Sequence, residues 1–324
     1  MILAGDVGGT KTNLALVSGG EGALQITKVR SFESQRYPGL EAIIQDFLLG
    51  VQATIDRACI GVAGPVLDGA ATGTNLPWRM SEESLRHLLG TARVRLVNDL
   101  QALAYAVPLM REPDLVVLQE GIVQAGGAKV ILAPGTGLGE GYLTWDGERY
   151  RAGTSEGGHT DFAPSGELQT RLLEYLRQEY GHVSWERVLS GPGLHNIYRF
   201  LVATGEGEPE WVAQRLASGD ASAAISALAL EGTHRPCRQA LDIFVSILGA
   251  QAGNVALTFM ATGGVYLAGG IPPKILPSLQ EGGLFLSAFR DKGRLSGLME
   301  HFPVYVIRNV QAPLVGAASC ALAL

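Results

Sequence analysis

Two stretches decide the reading of this chain. One is Met1-Ile2-Leu3-Ala4-Gly5-Asp6-Val7-Gly8-Gly9-Thr10-Lys11-Thr12, the other Val130-Ile131-Leu132-Ala133-Pro134-Gly135-Thr136-Gly137-Leu138-Gly139-Glu140-Gly141. In each, an apolar strand-like run breaks into a glycine-rich turn. Glycine there frees the backbone for positive φ and lets amides approach an anion closely. Between the two lies Asn98-Asp99, directly after the apolar run Val94-Arg95-Leu96-Val97. Two turns able to wrap phosphate, with one carboxylate able to take a proton, point to phosphoryl transfer.

Neither turn is a Walker A loop, because the chain contains no Gly-Lys dipeptide. A dinucleotide fingerprint fails as well: the glycine spacing is wrong and a strand-like run, Leu14–Val17, follows instead of a helix. In the first turn Gly5, Val7, Gly8 and Gly9 offer backbone, Thr10 a hydroxyl, and Asp6 a carboxylate able to hold a metal-bound water. Gly135, Thr136 and Gly137 form the second cradle. An ordinary hairpin also uses glycine, so the phosphate reading gains force from the pairing of the turns. For Asp99 two compatible readings stand: a proton acceptor at the mouth of a strand, or part of a helix N-cap. A helix N-terminus would keep that carboxylate ionised.

Further along, Glu156-Gly157-Gly158-His159 holds a single Glu-x-x-His pair, and its glycines disfavour the helix a carboxylate-bridged metal site needs. The same side chains suit a pair of vicinal hydroxyls. Glu186, in Ser184-Trp185-Glu186-Arg187, reads either as an acid in the first turn of a helix or as a group facing a sugar. The chain has no G-x-S-x-G and no H-E-x-x-H, so serine-hydrolase and zinc-protease readings have no footing.

A length of 324 residues exceeds one ordinary core and predicts two domains. With 47% hydrophobic and 17% charged residues, the chain is expected to fold into packed globular units. A net charge of -6 argues against a general nucleic-acid binder. Cys59, Cys237 and Cys320 are scattered, which disfavours a disulfide framework and fits a reducing, cytoplasmic compartment. Ile243 to Ala261 is apolar but broken by Gln251, Gly253 and Asn254, so a buried core helix is expected and no membrane span.

Strands are predicted at 1–5, 14–17, 58–62, 94–97, 129–133, 142–145, 265–268 and 303–307. Helices are predicted at 40–49, 82–89, 100–106, 168–180, 193–202, 211–217, 238–260 and 314–324. Ser81 caps the second of these helices, Asp146-Gly147 marks a hairpin turn, and 204–210 is a loop. The strand-turn-strand opening recurs near residue 130, which implies two related α/β halves facing one cleft.

Together, Gly5–Thr10, Val97-Asn98-Asp99, Gly135–Gly139, Glu156–Pro164, Glu186–Gly193, Gly249–Asn254, Leu267–Ile271, Asp291–Arg294 and Pro303–Ile307 resemble bacterial glucokinases of the proteobacterial type, in collinear order over nearly the whole chain. The resemblance implies the two-domain actin-like ATPase fold of hexokinase type, α/β in class, with an active-site cleft between the domains. Residues 1–108 with a returning helix at about 311–324 would form the small domain, and 109–310 the large one. It implies ATP-dependent phosphorylation of D-glucose, with Asp99 as general base for the 6-hydroxyl. Asn98, Glu156, His159 and Glu186 would contact the sugar. Asn75, in Asn75-Leu76-Pro77-Trp78, stands where the family has a related Asn…Trp stretch and is a further sugar contact. Gly5 to Thr10 and the turn at Thr136 would be phosphate loops, with Gly269-Gly270 on the adenosine side. Mg²⁺ would come with ATP and reach Asp6 through water, and a homodimer is the family's usual state. No cysteine lies near His159, which disfavours the zinc-containing sugar kinases. The alternatives are a kinase for mannose, fructose or glucosamine, and an actin-like ATPase without a sugar substrate.

Overall fold

A computed structural model describes residues 1–324 apart from 21, 22, 74, 75 and 206. The chain forms two compact units, one of residues 1–114, 148–154 and 309–324, the other of residues 115–147 and 155–308. Fourteen strands are found among the described residues: β1 Ile2–Val7, β2 Lys11–Ser18, β3 Gln25–Glu33, β4 Arg57–Val62, β5 Val66–Leu67, β6 Ala70–Thr72, β7 Arg79–Ser81, β8 Val94–Asn98, β9 Leu115–Gln119, β10 Lys129–Pro134, β11 Leu138–Trp145, β12 Tyr150–Ser155, β13 Gly264–Leu267 and β14 Val304–Ile307.

In the first unit the sheet runs β3-β2-β1-β4-β8. β1 pairs antiparallel with β2 and parallel with β4, and β8 continues parallel to β4. In the second unit the order β11-β10-β13-β14-β9 repeats the scheme: antiparallel β10 and β11, then parallel β13 and β14, closed by antiparallel β9. The recurrence read from the glycine turns is thus a recurrence of topology.

Side chains of β1 alternate between two cores, as a strand of period two must. Leu3 and Val7 join Leu14, Ile43, Phe47 and Ile60 on one face. Ile2 and Ala4 join Cys59, Ala317, Ala318 and Cys320 on the other. That second face is lined by small residues, which lets the helix Ala312–Leu322 approach closely. A Cβ on Gly316 would strike the Ala102 carbonyl of the helix Asp99–Ala106.

The core of the second unit is built around the helix Arg235–Phe259, whose sequence is long and apolar enough to cross a membrane but whose apolar window is 67% buried inside the fold. Gly249 and Gly253 let the helix Leu284–Arg290 pack against it; a Cβ on Gly253 would lie 2.5 Å from the Phe289 carbonyl.

The structure departs from the sequence reading at the second glycine run. β11 starts at Leu138, and Gly139 and Gly141 pair with Ala133 and Ile131 as strand residues. Only Gly135–Gly137 forms the turn. The helix Ala221–Glu231 and the strands β3 and β9 were not expected from the sequence.

Candidate active site

The first glycine turn is closed on itself. The Gly8 amide donates to the Lys11 carbonyl at 2.9 Å, and Ser34 Oγ donates to the Gly8 carbonyl at 2.8 Å. Ser34 Oγ also shares a hydrogen bond with buried Thr12 Oγ1 at 3.0 Å. Gly8 and Gly9 are partly accessible and Thr10 is exposed, while the Gly8 amide is already engaged by the Lys11 carbonyl. Gly5 serves a different purpose. It lies within β1, and a Cβ there would fall 2.6 Å from Ile60 Cδ1, so its glycine is a packing requirement. Val7 turns its side chain into the core and offers only backbone.

Asp6 is half-buried and accepts from Asn13 Nδ2 at 3.2 Å. Burial raises its pKa, an effect the Asn13 hydrogen bond partly opposes. A nearby cation would offset that desolvation. Among the described residues no three His, Cys, Asp or Glu side chains gather into a metal cluster. Asp6 therefore fits a supporting role toward a nucleotide-borne cation, held through water, better than a direct all-protein site.

At the end of β8 the helix cap falls to Asn98 and Asp99 takes the first turn. Asn98 is the N-cap of the helix Asp99–Ala106, its Oδ1 accepting from the Leu100 amide at 2.9 Å, while its Nδ2 donates to the Gly64 carbonyl at 3.2 Å. Asp99 is the first helical residue, with Oδ1 also 2.9 Å from the Leu100 amide. Gly61 and Ala102 pack beneath it: a Cβ on Gly61 would stand 2.9 Å from Ala102 Cβ and 3.5 Å from Asp99 Cα. The Asp99 residue is partly accessible, at the positive end of that helix. Asn75 lies outside the described residues.

In the second unit the candidates converge on Leu138. Its amide donates to Glu186 Oε2 at 3.0 Å. Its carbonyl occupies the space a Cβ on Gly158 would need. Glu156 and His159 flank that glycine pair, both exposed, with Glu156 Oε2 and His159 Nε2 3.8 Å apart. The turn is anchored onward by the Trp185 amide donating to the Thr160 carbonyl at 3.0 Å, and the Phe162 amide to the Val183 carbonyl at 2.9 Å. So Glu156, His159 and Glu186, far apart in sequence, stand on one scaffold with the Gly135–Gly137 turn. Glu186 lies in a short 3-10 turn, Trp185–Arg187, ahead of the longer helix Gly191–Thr204 that Ser190 caps.

Beside this turn opens a cavity of ≈ 570 Å³. Gly135, Thr136 and Gly270 line it with Ser222, Ala223 and Lys274. The Gly135 carbonyl accepts from the Gly191 amide at 2.8 Å, which seats a helix N-terminus at the cavity. Gly269 adopts φ +80, and a Cβ on it would fall 2.7 Å from the Pro134 carbonyl, so only glycine fits. A Cβ on Gly270 would meet open space. Asp220, capping the helix Ala221–Glu231 through the Ser222 and Ala223 amides at 2.9 and 3.2 Å, completes a wall the sequence reading missed.

The glucokinase family model matches residues 3–324. The chain belongs to the glucokinase family. It is 41% identical to a glucokinase of Synechocystis sp., the match covering 98% of this chain and 97% of that one. It is 38% identical to a glucokinase of Tolumonas auensis, covering 98% and 96%. A solved glucokinase from an Antarctic psychrotroph superposes with TM-score 0.88 at 32% identity, over 100% of this chain and 99% of that one. Family membership carries with it the actin-like ATPase fold, which the repeated sheet topology of the two units shares.

Proposed function

We propose that the protein transfers the γ-phosphoryl group of ATP to the 6-hydroxyl of D-glucose, the entry step of glucose into glycolysis. The observation that carries this reading is the meeting at Leu138 of a phosphate-type glycine turn, the Glu156–His159 turn and Glu186. A phosphate cradle is thereby fastened to an array of carboxylate and imidazole groups suited to sugar hydroxyls.

Asp99 accepts the 6-hydroxyl proton as that oxygen bonds to the γ-phosphorus and the bond to the β,γ-bridging oxygen breaks, releasing ADP. It stands in the first turn of a helix, whose positive end favours a carboxylate over the neutral acid. Amides of Gly9 and Thr10 and of Thr136 and Gly137 stabilise the charge spread over the transferring group, those of Gly8 and Gly135 being tied within their own turns. The cavity takes the nucleoside, with Ala223, Ala227 and Ile271 as apolar wall. Asn98 caps the helix with Oδ1 and binds the Gly64 carbonyl through one Nδ2 hydrogen, which leaves its second donor for a sugar hydroxyl. Asp6 would hold, through water, a Mg²⁺ carried by ATP, which would supply positive charge against the phosphates. A cytoplasmic homodimer is part of this proposal, on the grounds of composition and resemblance.

The test is ATP consumption by the purified protein against a hexose panel, with Asp99→Asn in parallel. Glucose should stimulate turnover, and the variant should lose about 10²–10⁴-fold. Stimulation by mannose, fructose or glucosamine alone would reassign the substrate. Turnover indifferent to every sugar would favour an ATPase.

A further inference from the structure

The motif Gly249-Ala250-Gln251-Ala252-Gly253-Asn254 touches none of the groups assigned above, yet it sits in the middle of the buried helix Arg235–Phe259. Its two glycines face the helix Leu284–Arg290. Its polar residues run elsewhere. Asn254 Nδ2 donates to Gln251 Oε1 at 3.2 Å, and Gln251 Nε2 donates to Glu140 Oε1 at 2.8 Å. Gln251 is 5% and Glu140 6% exposed. An acid so buried is rare without a task, because desolvation opposes its charge. Burial indeed raises the Glu140 pKa, with the Gln251 hydrogen bond opposing.

The other Glu140 oxygen shows the task. Oε2 occupies the space a Cβ on Gly157 would fill. Glu140 is two residues beyond Leu138 on β11, so both act from one strand upon one glycine pair: Leu138 against Gly158, Glu140 against Gly157. Ser155 Oγ accepts from the Gly157 amide at 2.9 Å and fixes the near side. Resting on the kinase reading, we propose that Glu140, braced by Gln251 and Asn254, is a positioning residue that sets the Glu156–His159 turn for sugar binding. The brace links the sugar turn to the most deeply packed helix of the unit. A helix backbone moves little, so the turn inherits its rigidity.

The experiment compares Glu140→Ala, Glu140→Gln, Gly157→Ala and the double variant Glu140→Ala with Gly157→Ala. Kinetics are read against glucose and ATP separately, with thermal midpoints and hydrogen exchange of the 155–160 segment. Glu140→Ala should raise the glucose KM by about tenfold while the ATP KM stays near wild type. Glu140→Gln keeps an acceptor for Gln251 and should restore most of that loss. Gly157→Ala should raise the glucose KM similarly, and the double variant should be no worse than the worse single, since both changes break one contact. Exchange at 155–160 should quicken in Glu140→Ala and not in Glu140→Gln. An unchanged glucose KM, equal damage to both substrates, or single effects that multiply in the double variant would overturn the proposal. If the wild-type protein shows no glucose-dependent turnover the kinase reading falls, and exchange at 155–160 still decides the brace: unchanged protection in Glu140→Ala removes it.

Discussion

The Leu138 amide donates to Glu186 Oε2, so a carboxylate of the proposed sugar set is also a strut of the second glycine turn. The Gly137 position reinforces this: a Cβ there would lie 2.5 Å from the same oxygen. Under the proposed function, sugar and nucleotide recognition would share a group. Glu186→Ala should weaken both, raising the KM for glucose and for ATP and lowering kcat/KM by about 10- to 100-fold, the scale of a lost hydrogen bond to a charged group. An ATP KM identical to wild type would separate the two roles and refute the strut.

Gly269 meets two constraints at once, φ +80 and the crowding Pro134 carbonyl. Gly269→Ala should cost about 1–3 kcal/mol and lower the thermal midpoint by several degrees, with a raised ATP KM. Gly270→Ala, whose Cβ points to open space, is the control and should leave stability nearly unchanged. Equal midpoints for the two variants would contradict the geometry.

Ser278, in the short helix Leu276–Gln280, buries its hydroxyl with no hydrogen-bond partner among the described residues. Serine there bears a desolvation cost with no return. Ser278→Ala should hold or raise stability, by up to about 1 kcal/mol. Denaturant unfolding checks this, and a loss of more than that amount would mean the hydroxyl is satisfied in solution.

His234 precedes the long helix, buried, its Nδ1 3.2 Å from Cys237 Sγ. Burial lowers its pKa below the ordinary histidine value of about 6.5. The sign follows: as pH falls below that value the unfolded chain takes up the proton first, so stability present at higher pH is lost. Half-buried Asp6 and buried Glu140, whose pKa values burial raises, act with opposite sign. The difference between wild type and His234→Gln isolates the histidine. That gap in thermal midpoint should shrink from pH 7.5 to 5.5; a constant gap would remove the claim.

Much of this was legible in the chain because glycine and buried apolar runs obey local rules. The two hairpins, the buried helix and the Ser81 cap, with Ser84 donating to Ser81 Oγ at 3.1 Å, are of this kind. The strand β3 was hidden by its own charges: Lys28, Arg30 and Glu33 sit on an exposed sheet edge, where polarity is expected and apolar alternation fades. The helix Ala221–Glu231 has no polar stripe to mark its period, and with it went Asp220 and Ser222 of the cavity wall. Gly139 and Gly141 looked like turn residues because composition cannot tell a turn glycine from one pleated into a strand. The role of Glu140 was beyond sequence altogether, since it depends on which atom fills the place of an absent Cβ.

One consequence concerns synthesis. The helix that begins at Asp99 rests on the helix Ala312–Leu322, and Arg57 donates to the Leu322 carbonyl across 265 positions of chain. The second unit is spelled out almost entirely between these partners. A chain leaving the ribosome at roughly 5–20 residues per second must therefore hold its first sheet one face bare for about 10–40 s while the inserted unit is made. The usual order is reversed: the part translated first is the last to be finished, and the apolar face formed by Ile2, Ala4 and Cys59 is the surface a nascent-chain chaperone would have to shield.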